Sequence, residues 1–180
     1  MLTKTRADFL MDIALVAFLI VFDVMARALP HAPGVLPVAA SGLFASRMLR
    51  TPTLAVIVPL AAMALSGLSL ADDDWRVSLV VYAAIALPAF AGMFSRHRRA
   101  APMIAAMMLS CSLIFFVTTN FAVWAFSGMY PLTWQGLTQC YILALPFLER
   151  TVLGDMFWTA VLFGGAWLVQ RGPALARRAI

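Results

Sequence analysis

Asp23 and Arg27 stand four residues apart with the acid first, the order in which a carboxylate and a guanidinium support one another along a helix. Such a pair either neutralises itself or presents two opposite charges to a polar ligand. Asp12 lies eleven residues before Asp23, close to three helical turns, so both carboxylates share one face, with Asp12 near the wet end. Asp155 follows Gly154 and has no basic residue three or four positions away. Its partner must come from elsewhere, as half of an inter-helix pair or as a ligand or ion contact. Asn120, the only asparagine, follows Thr118 and Thr119 and precedes Trp124 by one turn. A buried amide either ties helices together or supplies polar recognition in an apolar site. His31, Trp75, Tyr130, Trp134 and Tyr141 fall between apolar runs, where aromatic residues form an interfacial belt or cap a cavity. His31, held between Pro30 and Pro33, is a lone histidine and a poor basis for a metal site.

The segments that carry these residues are almost wholly apolar. Hydrophobic residues make up 63% of the 180, charged residues 12%, and mean hydropathy is +0.93. Soluble domains sit nearer ~45–50% and ~25%. Apolar runs cover 9–26, 53–70, 77–94, 102–126 and 151–169. Each is close to the ~20 residues that cross ~30 Å of hydrocarbon as a helix. Lys4 and Arg6 ahead of the first run, with Ala26-Arg27-Ala28 behind it, imitate a secretory signal. Asp8, Asp12 and Asp23 fit such a peptide poorly, and the segment reads as a retained first span.

Two further runs, 35–45 and 137–147, are short, and the basic residues assign them. If 35–45 crosses and 137–147 does not, Lys4, Arg6, Arg47, Arg50, Arg96, Arg98, Arg99, Arg171, Arg177 and Arg178 share one side. Only Arg27, Arg76 and Arg150 remain on the other. Positive-inside bias then places both termini in the cytoplasm of a bacterial inner membrane. The expected architecture is all-α: six transmembrane helices in a single domain over 1–180, with a short second span starting near Pro37. A re-entrant or interfacial helix over 137–147, bounded by Gly136 and Pro146, precedes the sixth span on the outer side. Non-helical backbone at that depth survives only where protein or water covers it, so two such segments imply an outward-facing cavity. The net charge of +5 belongs to cytoplasmic loops and implies no nucleic-acid partner. Cys111 and Cys140 read as small buried residues.

No Walker A, dinucleotide-binding, HExxH or GxSxG pattern occurs. No catalytic group, metal or cofactor is expected, and the chain itself hydrolyses no ATP. Ala26-Arg-Ala-Leu-Pro-His31, Leu36-Pro-Val-Ala-Ala40, Val117-Thr-Thr-Asn-Phe-Ala-Val-Trp124, Tyr130-Pro-Leu-Thr133 and Cys140-Tyr-Ile-Leu-Ala-Leu-Pro-Phe147 through Asp155 resemble a family of uncharacterised small bacterial membrane proteins described as candidate transport proteins. Size, topology and outer segments are also similar to the substrate-binding S components of energy-coupling-factor vitamin transporters. That resemblance implies vitamin-like solute uptake with a cytoplasmic ATPase module as partner. Its small-xxx-small docking pattern is matched by Ala101 and Ala105, whereas the first span offers only Ala14 and Ala17.

The leading expectation is therefore a small-solute uptake protein in contact with membrane lipids. Its candidate substrate-binding set is Asp23, Arg27, His31, Asn120, Trp124, Tyr130, Trp134, Tyr141 and Asp155. The pocket is expected between the Pro-rich approach to the second span, the Asn120 region and the 130–141 loop. The alternatives are a non-transporting scaffold or subunit of a larger complex, whose polar residues only join helices, and an enzyme acting on a lipid-soluble substrate.

Overall fold

The computed structural model describes residues 2–30, 34–66, 74–96 and 100–176, and these contain helices but no strand. α1 is Leu2–Ala28, α2 is Val38–Met48, and a 3-10 helix over Pro52–Val56 leads into α3, Ile57–Leu65. α4, α5 and α6 cover Trp75–Phe94, Ala101–Phe126 and Trp134–Ala176. Among the described residues, four stretches are long and apolar enough to cross a membrane: Arg6–Ala28, Trp75–Phe94, Ala101–Phe126 and Trp134–Arg171. Two helices expected to cross are shorter. The 11 residues of α2 rise only about 16 Å. The apolar run expected over 53–70 begins as the 3-10 turn, and α3 ends at Leu65. Pro52 and Pro59 each fall in the first turn of their helix, where a missing N–H costs nothing.

α2 starts directly after Pro37, as expected, and is buried on nearly every face from Val38 to Ser46. A helix with no exposed face must be enclosed by protein, and α1, α3, α4 and α6 pack around it. Antiparallel packing on α1 is marked by Ser41 Oγ donating to Asp23 Oδ1 at 2.8 Å. At the far end, Arg50 N and Thr51 N donate to the two Asp12 oxygens at 3.1 and 2.8 Å. Asp12 is thus bonded and only 6% exposed, which corrects the expectation that it is wet. α3 returns beside α1, with Arg27 Nε donating to Ser66 Oγ at 2.7 Å.

α4 runs alongside α2 at very close range. A Cβ on Gly92 would stand 1.8 Å from Ser46 Oγ and 3.0 Å from Leu43 Cδ1. Gly92→Ala is therefore expected to lower stability by about 2 kcal/mol through overpacking. A thermal midpoint in detergent checks it, and Ser46→Ala in the same chain should recover more than half of the loss. A midpoint unmoved by Gly92→Ala would rule out the tight α2–α4 contact.

Basic residues divide between the ends as the sequence suggests. Arg50 pairs with Asp8, Arg96 reaches the Leu49 carbonyl at the end of α2, and Arg47 bonds Ser95. Arg27 and Arg76 lie at the opposite end, where Arg76 stacks over Trp75 and Phe126. His97, Arg98, Arg99, Asp72 and Asp73 lie outside the described residues, while Asp74 caps α4 by accepting from Arg76 N at 2.8 Å.

The separate re-entrant or interfacial helix over 137–147 is not observed. These residues are the first third of α6, one continuous helix of 43 residues with Pro146 inside it. Breaking a helix among apolar groups would strand several backbone polar groups, whereas an internal proline removes one bond. Continuous does not mean aligned with α5. From Tyr141, bonded to the Val117 carbonyl, to Asp155, bonded to Ser112, α6 advances fourteen residues while α5 advances five. Those steps are about 21 Å and about 7.5 Å of rise, so the start of α6 lies oblique to α5.

Candidate functional site

At the end opposite Arg47, Arg50 and Arg96, the bundle forms a half-open cavity of about 270 Å³. The approach to α2 contributes Gly34 and Leu36, and the first turn of α2 contributes Val38 and Ala39. Met63 of α3 and Val81, Ile85 and Pro88 of α4 continue the apolar wall. α5 adds Met108, Cys111, Ser112 and Phe115, and α6 adds Phe147, Thr151 and Asp155. The site is apolar with few convergent polar groups, which is how small-molecule pockets are built.

Two of its lining residues ionise. Asp155 is 5% exposed, and its Oδ2 accepts from Ser112 Oγ at 2.6 Å. The same hydroxyl lies 3.0 Å from the Met108 carbonyl. A hydroxyl has one proton, so Ser112 either donates to an ionised Asp155 or accepts from a protonated one while donating to Met108. Both charge states therefore fit without moving a heavy atom. Arg27 sits on the other flank, with Nε held by Ser66, whose own hydroxyl donates to the Met63 carbonyl at 3.2 Å. Neither side chain forms an ion pair among the described residues.

A proline interrupts the wall on α4. Pro88 has no N–H for the Ala84 carbonyl one turn back, and both residues line the cavity. On α6, Thr151, Asp155 and Thr159 recur every fourth residue as a polar row. Thr151 Oγ1 and Thr159 Oγ1 are buried without a hydrogen-bond partner among the described residues. Gly34 covers the Thr151 hydroxyl: a Cβ there would lie 3.1 Å from it.

Of the nine residues singled out by sequence, Arg27 and Asp155 reach the cavity. Asp23 is fully buried behind it, holding Ser41 with Oδ1 while Oδ2 has no partner among the described residues. His31 lies outside the described residues. The other five belong to the α5–α6 hairpin. Asn120 Nδ2 donates to the Phe116 carbonyl at 2.8 Å, and its own carbonyl takes Cys140 Sγ at 3.4 Å. Tyr141 donates to the Val117 carbonyl at 2.7 Å with its ring edge-on to Phe116. Trp124 Nε1 donates to the Pro131 carbonyl at 3.1 Å, closing the turn that carries Tyr130, while Trp134 is exposed. Tyr141 and Cys140 tie α6 to α5, the Asn120 amide bonds its own helix and Trp124 closes the turn, all outside the cavity.

Sequence reading missed Ser112, Met63, Phe115, Phe147 and the Ala84–Pro88 step. Pro88, an interior proline in a membrane-length run, was the one available signal. Both cysteines are free and buried, as expected, with Cys111 on the cavity wall. Among the described residues no group of three His, Cys, Asp or Glu side chains is placed to hold a metal ion. A model of a family of unknown function, DUF6580, matches residues 8–176. Neither curated proteins nor solved structures yield a match to this chain.

Proposed function

The chain belongs to this family, DUF6580, and from the chemistry of its cavity we propose that it binds a small solute within a six-span membrane domain and takes it up. The observation that carries this reading is the half-open cavity of about 270 Å³, apolar but for Arg27, Ser112, Thr151 and Asp155. Positive-inside bias places the Arg47–Arg50–Arg96 end in the cytoplasm of a bacterial inner membrane. The cavity then lies toward the outer face, where a solute enters. In this topology α2 and the Pro52–Leu65 pair act as short spans, shielded from lipid where they fall short.

The volume lies just below the ~300 Å³ at which drug-sized sites begin, so the solute is small. A vitamin- or cofactor-like molecule of one or two rings fits; a ligand as large as cobalamin does not. A chain this small has no two large repeats to rock against each other. Release inward requires a tilt of the whole bundle or a driving partner, such as a cytoplasmic ATPase module.

Native mass spectrometry of the protein drawn gently from its own membrane tests the reading. The wild type should carry a small molecule, and Met108→Trp, which fills the cavity from α5, should carry none. An empty wild-type chain held in a larger assembly would instead favour the scaffold reading.

A further inference from the structure

Resting on the solute-binding reading, we propose that the cavity selects a dipolar molecule: one with a cationic end for Asp155, an anionic end for Arg27, and an apolar body between. The two charges are anchored on different flanks. Arg27 is tied through Ser66 to α3, and Asp155 is tied through Ser112 to α5. α3 packs on α1, α2 and α4, while α5 packs on α4 and α6; the two share no packed interface. The cavity fills the space between these flanks, and no ion pair closes it among the described residues. Arg27 is half-buried with Asp23 one turn back, whereas a buried Asp155 carboxylate has no cation beside it among the described residues and is costly unless a ligand supplies one.

Each flank is suited to its end of such a ligand. On the Asp155 side, the carboxylate is the acceptor for an ammonium, and Ala84 and Pro88 of α4 line the same cavity. Phe115 and Phe147 line it as well, and aromatic side chains suit a cation or an apolar body. On the other side, the Arg27 guanidinium stands with the first turn of α2, which has no side-chain cap at Pro37. Uncapped N–H groups and the positive end of the helix dipole add to the attraction for an anion. Asp23, one turn back on α1, offsets part of this charge from behind the wall, with Oδ1 on Ser41, so the anion site is Arg27 together with the start of α2. When the ligand leaves, Asp155 takes a proton and turns Ser112 toward Met108, so no charge is stranded on that flank.

Three matched probes test the proposal on the full chain in lipid nanodiscs by calorimetry: 4-(aminomethyl)benzoate, 4-methylbenzylamine and 4-methylbenzoate. The first carries both charges, the others one each on the same ring. The dipolar probe should bind tightest. Asp155→Asn, which keeps the Ser112 bond, should weaken it roughly tenfold to a hundredfold and leave 4-methylbenzoate within about twofold. Arg27→Gln should do the reverse, weakening the dipolar probe while sparing 4-methylbenzylamine. A single-charge probe binding as tightly as the dipolar one, or Asp155→Asn leaving all three unchanged, overturns the proposal while the cavity reading stands. Failure of all three in protein that still carries an extractable solute overturns the dipolar class alone. Failure in protein that carries none removes the uptake reading as well.

Discussion

Gly154→Val is expected to lower stability by about 3 kcal/mol and to abolish solute binding together. Gly154 lies on α6 beneath the approach to α2. A Cβ there would stand 2.8 Å from Val35 Cα and 2.9 Å from the Gly34 carbonyl oxygen. Both are backbone atoms, so no rotamer change relieves the overlap, and the segment has to lift. Gly34 is held from its own side as well, at φ +86, with Thr151 and Arg150 packed against it. Because Gly34 and Leu36 wall the cavity, lifting the segment opens the site and loosens the fold at once. Gly164→Val on the same helix is the control, since nothing lies within 4 Å of a Cβ there. Thermal midpoints in detergent, read beside bound solute by native mass spectrometry, check both parts. Equal effects at 154 and 164 would mean that close packing on α6 does not shape the site.

Asp12→Ala comes next in size, at the opposite end of the molecule. Asp12 is buried on α1, and each of its oxygens accepts a main-chain N–H from the turn between α2 and the 3-10 helix. Removing the carboxylate strands both N–H groups and frees the turn that Asp8 also grips through Arg50. Two charge-assisted bonds at a partly wet end are worth about 3 kcal/mol together. Asp12→Asn keeps one acceptor and should lose about half as much. Denaturant titration of the three proteins in mixed micelles separates these values. If alanine and asparagine both behave as wild type, the carboxylate is not what holds the turn. Solute binding should survive Asp12→Asn, because Asp12 is remote from the cavity.

Much of this organisation could be read from residues alone. The membrane-length runs, the start of α2 at Pro37, the division of arginines between ends, and the need of Asp155 for a partner from another helix all follow from spacing. Others could not. Pro146 reads as a terminator, yet α6 passes through it, because an apolar setting penalises a broken helix more than one missing bond. Asn120, Trp124 and Tyr141 read as recognition groups, yet backbone carbonyls of their own hairpin absorb them. Asp12 reads as solvated, yet it meets two N–H groups some forty residues away.

Composition and charge placement by themselves determined that this chain is helical, where the long apolar stretches of α1, α4 and α5 begin and end to within a few residues, and which ends gather the basic residues. Those properties are sums over neighbouring residues, and hydrocarbon and charge act on each segment separately. Tertiary structure alone decided that Ser112 answers Asp155, that Ser66 answers Arg27, and that a cavity lies between them. Successive residues on a helix point about 100° apart, so one step of rotation exchanges a lipid-facing side chain for a buried one. Local sequence does not specify that rotation; packing against the other helices does.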